Sequence, residues 1–174
     1  MSECFEDVVM LPADSEPADI ANVVQKMPCF DVLHFACHGE FSGDAPMTSF
    51  LTVGSREGEP QKLTVKRLYK LSLECSLVVL SGCETGVSKV LSGDELMGLI
   101  RGFLFAGAPS LLVSLWKVDD RPTSDLIGNF YHGYVTEGET KSASLRRSIL
   151  ELKAGEDTSH PYFWAPFCLV GASS

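Results

Sequence analysis

The sequence lacks any apolar run long enough to cross a membrane. A transmembrane helix needs roughly 18 consecutive apolar residues, whereas the longest apolar runs, such as residues 110–116, have the length of a β-strand. The N-terminal stretch MSECFEDVV also lacks the basic start and apolar segment of a secretory signal. We therefore expect a soluble, cytoplasmic protein with no membrane partner.

Positive charge is scarce in this chain. It carries 14 lysines and arginines against 23 aspartates and glutamates, which gives a net charge of −9. Proteins that bind nucleic acids place clusters of Lys and Arg against the phosphates. Direct nucleic-acid binding is therefore not expected.

Signatures of cofactor sites are missing as well. The sequence contains no CxxC pair, which weighs against structural zinc and thiol redox chemistry. The stretch GVSKVLSG at residues 86–93 contains Gly and Lys without the spacing of a phosphate-binding loop. We expect neither a cofactor nor a metal.

The six cysteines do not read as a disulfide framework. Four of them lie in or beside apolar runs of a mid-sized domain without a secretion signal, which predicts reduced and mostly buried thiols, with one of them available for chemistry. These four are Cys37, Cys75, Cys83 and Cys168.

What the chain does contain is an alternation of short apolar runs with stretches of helical periodicity. Its 174 residues and 45% hydrophobic content fit one domain with a substantial core. Most apolar runs are continuous, which is typical of strands buried on both faces of a mainly parallel sheet. The pattern predicts an α/β domain of three layers, a mainly parallel central sheet flanked by helices. The predicted strands are residues 8–11, 32–37, 50–53, 77–80, 111–115 and 167–170.

Helices are predicted between the strands. The clearest begins at Ser92, because Ser92 and Glu95 have the spacing of a capping box. Further helices are predicted over residues 17–26, from 119–121 to about 138, and over 142–153, with loops at 39–49 and 54–59. The apolar face of the clearest helix comprises Leu96, Leu99, Ile100, Phe103 and Leu104.

Two strand ends carry the residues suited to chemistry. The first is DVLHFACHGEF at residues 31–41, where an apolar strand runs into His38 and Gly39. The second is LVVLSGCETG at residues 77–86, where a buried strand ends just before Cys83. Ligands gather at the carboxyl ends of parallel strands, and an imidazole can take a proton from a thiol to give the nucleophilic thiolate. The backbone N–H groups of Gly39 and Cys83 are the candidate oxyanion donors.

His34 needs a separate interpretation, because it points to the same face of the strand as His38. Its place among apolar neighbours predicts a core residue whose ring can be hydrogen-bonded. A zinc site from His34, Cys37, His38 and Cys83 is conceivable but disfavoured, since Cys37 alternates to the opposite face from His38.

The order of motifs resembles that of a CHAT domain, a caspase-like cysteine peptidase of the clan that includes caspases, separase and gingipain. The resemblance rests on HFACHGEF at 34–41 and LVVLSGCETG at 77–86. It continues with GDELMGLIRGFLFAGAPSLLVSLWKVDD at 93–120, FYHGYVTEG at 130–138 and HPYFWAPFCLVG at 160–171. It implies a caspase-like fold and a catalytic pair at His38 and Cys83.

The resemblance also implies substrate contacts after the strand that follows the nucleophile. In this chain the corresponding segment is residues 114–117, so Ser114 and Trp116 are candidate substrate-binding residues. Trp116 either walls a side-chain pocket or packs as a core aromatic. By analogy with separase, Asp119 or Asp120 receives a basic P1 side chain, or else one of them caps the following helix.

Family members usually have a further central strand, and often tetratricopeptide repeats, before the region where this chain begins. The resemblance therefore implies that residues 1–174 form a single peptidase domain of a longer protein, lacking an N-terminal strand and upstream repeats. It also implies control by an attached repeat domain or an activating complex, and a protein substrate.

Three functions remain open from the sequence. The leading hypothesis is an endopeptidase that uses a His–Cys dyad. Its main rival is a catalytically silent caspase-like scaffold or interaction module, against which the presence of both His38 and Cys83 argues. A small-molecule thiol hydrolase or redox protein is the third.

Overall fold

The computed structural model describes residues 4–10, 19–42, 44–81 and 94–174, with side chains in the last range from residue 96 onward. Strands β1 to β7 are Val32–Phe35, Gly39–Glu40, Phe50–Arg56, Glu59–Thr64, Leu77–Leu80, Ser110–Ser114 and Phe167–Gly171. Helices α1 to α6 are Ile20–Lys26, Val65–Leu68, Asp94–Phe105, Asp120–Tyr131, Lys141–Ala154 and Pro161–Trp164. Short 3₁₀ turns lie at Met27–Cys29 and Pro46–Thr48, and a π-helical turn, His132–Thr136, follows α4.

A four-stranded sheet with the order β1-β5-β6-β7 forms the centre of the fold. The first three strands run parallel, and β7 closes one edge antiparallel to β6. This confirms the predicted mainly parallel sheet. The observed limits of β5 match the predicted 77–80, while β1 ends at Phe35 rather than continuing to residue 37.

The central sheet is covered on both faces. All four residues of β5 are buried, and they alternate between two apolar clusters. Val78 and Leu80 pack toward the cluster that contains α3, whereas Leu77 and Val79 pack toward the cluster that contains α4 and α5. A strand with both faces buried explains the continuous apolar run in the sequence. The predicted three-layer, caspase-like architecture is therefore confirmed.

The long helices begin and end close to the predicted residues. The side chain of Thr140 caps α5 by accepting a hydrogen bond from the Ala143 N–H at 3.2 Å, and Gly155 follows its last residue. In α3 the predicted face is buried as far as Phe103, but Leu104 is 38% exposed and does not belong to it. The predicted cap at Ser92 lies outside the described residues.

The sequence did not predict a second sheet, which has the order β2-β3-β4 and is antiparallel. The predicted strand at 50–53 belongs to this sheet and extends to Arg56. The predicted loop at 54–59 is largely a β3–β4 hairpin whose two-residue turn has positive φ at Glu57 and Gly58 (54° and 85°), the geometry of the primed turns that favour hairpins. Strand β4 escaped prediction because its sequence, EPQKLT, buries only Leu63.

The first predicted strand, at 8–11, is wrong as far as it is described. Val8 and Val9 are each 50% exposed and Met10 is 78% exposed, in irregular backbone, while residue 11 lies outside the described ranges. An apolar run without a sheet neighbour has no partner for its backbone groups, so composition alone did not make it a strand. Within the described ranges, no helix has the length and apolar character needed to span a membrane.

The turn after α3 offers a test of the backbone geometry. Gly107 has φ of 110°, and a Cβ there would lie 2.5 Å from the Leu73 carbonyl oxygen. We expect Gly107→Ala to lower the free energy of unfolding by about 1–3 kcal/mol, because both the φ angle and the clash oppose it. Urea denaturation measures the change.

Gly128 provides the matched control. It lies within α4 and a Cβ there would meet no atom within 4 Å, so Gly128→Ala should be neutral or stabilise the fold by about 0.5–1 kcal/mol. Equal effects of the two substitutions would contradict the described turn.

Candidate active site

The candidate site begins where β1 and β5 end side by side. Phe35 pairs with Leu80 at the end of the parallel ladder, and the Ser81 N–H donates to the Phe35 carbonyl at 3.1 Å. His38 follows Phe35 by three residues, and Cys83 follows Leu80 by three residues. The segments that carry His38 and Cys83 thus start from adjacent strand ends at one edge of the sheet.

His38 lies in the short link between β1 and β2. Its side chain is exposed, and its carbonyl accepts a 2.8 Å hydrogen bond from the Thr52 N–H. That bond ties the link to β3. The histidine is therefore placed by two sheets, since β1 precedes it in the central sheet and β2 follows it in the antiparallel sheet.

A side chain at Gly39 would require Phe41 and Leu51 to shift. A Cβ would lie 2.8 Å from Phe41 Cζ and 3.2 Å from Leu51 Cδ2. The hydrogen bond between Thr52 and His38 makes Gly39–Leu51 a non-hydrogen-bonded pair of the antiparallel ladder. The Gly39 N–H is consequently directed away from β3, toward the open edge of this sheet.

Cys83, the candidate nucleophile and second oxyanion donor, lies outside the described residues. The last described residue before it is Ser81, which lines the cleft described next.

A cleft of about 770 Å³ opens at this edge of the sheet. Its described walls come from the ends of β1 and β5, from the segment after β6, and from the first turns of α4. Chemically active side chains among them are His34, His38, Ser81, Lys117, Asp119 and Asp120.

The predicted substrate segment is placed unevenly around this cleft. Trp116, Asp119 and Asp120 line it, whereas Ser114 is buried, and its hydroxyl donates to the Trp116 carbonyl at 2.6 Å. Trp116 is 39% exposed, and its indole N–H donates to the Tyr162 carbonyl at 3.0 Å. Trp116 is thus part of the cleft wall, fixed at one edge, rather than an enclosed core aromatic.

The two carboxylates stand at the start of α4. Asp119 occupies the position before the first helical residue, yet its side chain makes no capping hydrogen bond, and Asp120 lies in the first turn. Both side chains are exposed at the cleft. Their negative charge is therefore accessible to a cationic group entering the cleft.

His34 contributes to the cleft in a way that the sequence did not reveal. Its Nε2 lies 2.6 Å from Ser81 Oγ, and its Nδ1 lies 3.2 Å from the Tyr131 hydroxyl. Burial lowers the pKa of His34 to about 4. The predicted hydrogen bonding is confirmed, but His34 is a partly buried residue that reaches the cleft rather than a core residue, because the ladder ends one residue beyond it.

Cys37 lies beside His38 and lines the same cleft. Burial raises the pKa of its thiol to about 11, so it stays protonated at neutral pH and is a poor nucleophile. Among the side chains described, no group of three His, Cys, Asp or Glu residues is placed to hold a metal ion.

The fold and the strand-end site together define a caspase-like α/β domain. A profile of the CHAT domain family matches residues 6–172, nearly the whole chain. The chain therefore belongs to the CHAT domain family, part of the caspase-like cysteine peptidase superfamily, as the order of its motifs suggested.

The curated relatives that match this chain are much longer proteins. Over 110 residues, 63% of this chain, the sequence is 36% identical to tetratricopeptide repeat protein 28 of Mus musculus and, at the same identity and coverage, to that of Homo sapiens. The matched region spans about 4% of the length of those relatives.

The depressed pKa of His34 makes stability depend on pH. The unfolded chain binds a proton near the ordinary histidine pKa of 6.5, whereas the folded chain binds it only near 4. Below pH 6.5 the unfolded state therefore holds more protons, and the stability that the neutral ring contributes is lost as the pH falls toward 4. Lowering the pH from 7.5 to 5 should cost about 2 kcal/mol from this group alone.

Urea denaturation at the two pH values checks this expectation, with His34→Gln as the control that cannot titrate. Ser81, Tyr131, Lys117, Asp119 and Asp120 are retained in both proteins, so the difference between their pH dependences isolates His34. The same dependence in both proteins would show that the ring is not held neutral.

Proposed function

We propose that this chain is a cysteine endopeptidase in which His38 is the general base and Cys83 the nucleophile. The observation that carries the proposal is the in-register pairing of β1 and β5, which sets His38 and Cys83 at equal distances along the chain from two adjacent strand ends. Membership of the CHAT family supports it.

In the proposed reaction His38 accepts the thiol proton of Cys83, and the thiolate attacks the carbonyl carbon of the scissile peptide bond. The N–H groups of Gly39 and Cys83 donate to the resulting oxyanion. His38 then returns the proton to the leaving amine as the C–N bond breaks. Water, deprotonated by His38, hydrolyses the remaining thioester and restores the thiol.

Two features of the described residues suit this role. The exposed His38 lies at the cleft, where a substrate and a thiol can both reach it. The Gly39 N–H is directed away from β3, so it is not used in the β2–β3 ladder. No cofactor takes part in the proposed mechanism.

Site-directed variants test the proposal. We expect cleavage of a peptide library, analysed by mass spectrometry, to fall by a thousandfold or more in Cys83→Ala, on the order seen when catalytic nucleophiles are removed. His38→Gln should lower kcat by about 10²–10⁴-fold, the usual contribution of general acid–base catalysis.

Cys29→Ala is the matched control for the loss of a thiol. Cys29 is exposed, follows α1 and does not line the cleft, so cleavage should match the wild type. Cleavage that survives Cys83→Ala would contradict the proposal. Tight partner binding by a wild-type protein that also resists active-site-directed covalent probes would favour the scaffold role.

We further propose that Trp116, Asp119 and Asp120 form the pocket for the P1 side chain, with Ser114 supporting the Trp116 backbone. Two accessible carboxylates, neither engaged in a capping hydrogen bond, favour a lysine or arginine at P1. Among the described residues that line the cleft, these two carboxylates outnumber the one lysine, Lys117.

Replacing both carboxylates tests this specificity. Asp119→Asn with Asp120→Asn should lower kcat/KM for substrates with Lys or Arg at P1 by about 10–100-fold, as expected for the loss of a charge-assisted hydrogen bond. Substrates with a neutral P1 should change little. Asp125→Asn is the control, because Asp125 is an exposed carboxylate of α4 away from the cleft. A preference for apolar P1 residues, unchanged in the double variant, would contradict the assignment.

The relatives suggest how such an enzyme is controlled. Their name describes tetratricopeptide repeat proteins, and we propose that a repeat module, attached or bound, regulates this domain. The outer edge of β1 has no strand partner among the described residues. A strand from elsewhere in a longer protein would complete the sheet there.

A further inference from the structure

A chain of three hydrogen-bonding groups runs from the cleft into the layer of helices. It joins Ser81 Oγ at the end of β5, the imidazole of His34 in β1 and the Tyr131 hydroxyl at the end of α4, over distances of 2.6 and 3.2 Å. None of these groups has a place in the catalytic pair proposed above.

The inner end of this chain is held firmly. Tyr131 is 1% exposed and its ring packs edge-on against Phe5 with ring centroids 5.0 Å apart. Burial raises the pKa of its hydroxyl, which therefore stays protonated. His34 is neutral at ordinary pH, and a neutral imidazole has one donor and one acceptor. The ring therefore donates to one hydroxyl and accepts from the other, so both of its nitrogens are hydrogen-bonded.

The outer end of this series of hydrogen bonds is Ser81, which precedes the segment that carries the candidate nucleophile. Ser81 is fixed twice: its N–H donates to the Phe35 carbonyl, and its hydroxyl bonds to His34. Cys83 follows it by two residues. A substitution of His34 therefore changes the contacts of Ser81, the residue from which the segment that carries Cys83 starts.

We propose that His34 is a positioning residue for the catalytic pair, because it holds Ser81, from which the segment that carries Cys83 starts. This inference rests on the proposed peptidase function and adds a residue to it. The His34 ring is hydrogen-bonded to the Ser81 hydroxyl, and the Tyr131 hydroxyl is hydrogen-bonded to the ring. These two bonds connect the layer of helices to the catalytic edge of the sheet.

The same geometry does not favour a direct catalytic role for Ser81. A serine nucleophile needs a base that accepts its proton near neutral pH. An imidazole whose pKa is lowered to about 4 by burial is a weak base. We therefore interpret the short contact between Ser81 and His34 as a hydrogen bond that stabilises the structure, not as a catalytic pair.

Three substitutions test the inference in the full chain, with steady-state cleavage of a peptide substrate as the readout. We expect His34→Gln to lower kcat by about 10–100-fold with KM within about twofold, because misplacing a reacting group by about 1 Å can cost 10² in rate. Ser81→Ala and Tyr131→Phe each delete a single oxygen atom and should lower kcat in the same way. The double variant His34→Gln with Ser81→Ala should be no slower than the slower single variant, since both remove one shared interaction.

Tyr134→Phe is the matched control. The Tyr134 hydroxyl donates to Ser76 Oγ at 3.2 Å near the opposite end of β5, so its loss removes a similar hydrogen bond away from the cleft. This variant should keep the wild-type kcat. Nitrogen-15 NMR of the His34 ring adds a readout independent of catalysis: both ring nitrogens hydrogen-bonded in the wild type, with the hydrogen bond lost at Nε2 in Ser81→Ala and at Nδ1 in Tyr131→Phe.

The outcomes separate the two hypotheses. Wild-type kcat in His34→Gln and Tyr131→Phe, in a protein that loses cleavage on Cys83→Ala, would overturn the positioning role and leave the peptidase intact. Cleavage independent of Cys83 would overturn the peptidase proposal and the positioning role together. If His34→Gln fails to fold, Ser81→Ala and Tyr131→Phe decide the question.

Discussion

The in-register parallel pairing of β1 with β5 is the constraint on which the rest of the site depends. Each strand has a buried face toward either layer of helices, so a slip of one residue would turn His34 and Leu33 to the wrong sides of the sheet. The apolar clusters on both faces thus fix the register. The register in turn decides that the His38 and Cys83 segments start from neighbouring points.

The two histidines of this motif show how position changes the chemistry of one residue type. His34 lies within the strand, where burial keeps its ring neutral between two hydroxyl groups. His38 lies beyond the strand end, exposed at the cleft. One is suited to holding neighbouring groups in place and the other to exchanging protons with a substrate.

Sequence patterns predicted the central sheet well because continuous apolar runs have few alternatives to a strand buried on both faces. They failed for β4, a polar edge strand with one buried side chain, and for residues 8–10, where apolar composition came without a sheet partner. The position of His38 beyond a strand end followed from the motif, and that of Asp119 at the start of α4 followed from the predicted helix. The bond from His34 to Ser81 joins residues 47 apart in sequence, so only the fold could reveal it. Nothing local in the sequence marked Tyr131 as its third member.

The central claim is that His38 activates the thiol of Cys83, and alkylation tests it without any substrate. The rate at which iodoacetamide modifies each of the six cysteines would be measured by mass spectrometry between pH 5 and 9, in the wild type and in His38→Gln. A thiol that transfers its proton to a neighbouring imidazole reacts as a thiolate. We expect Cys83 to react fastest below pH 7 in the wild type and to fall to the rate of an exposed thiol such as Cys29 in His38→Gln. The same pH dependence of Cys83 in both proteins would contradict it.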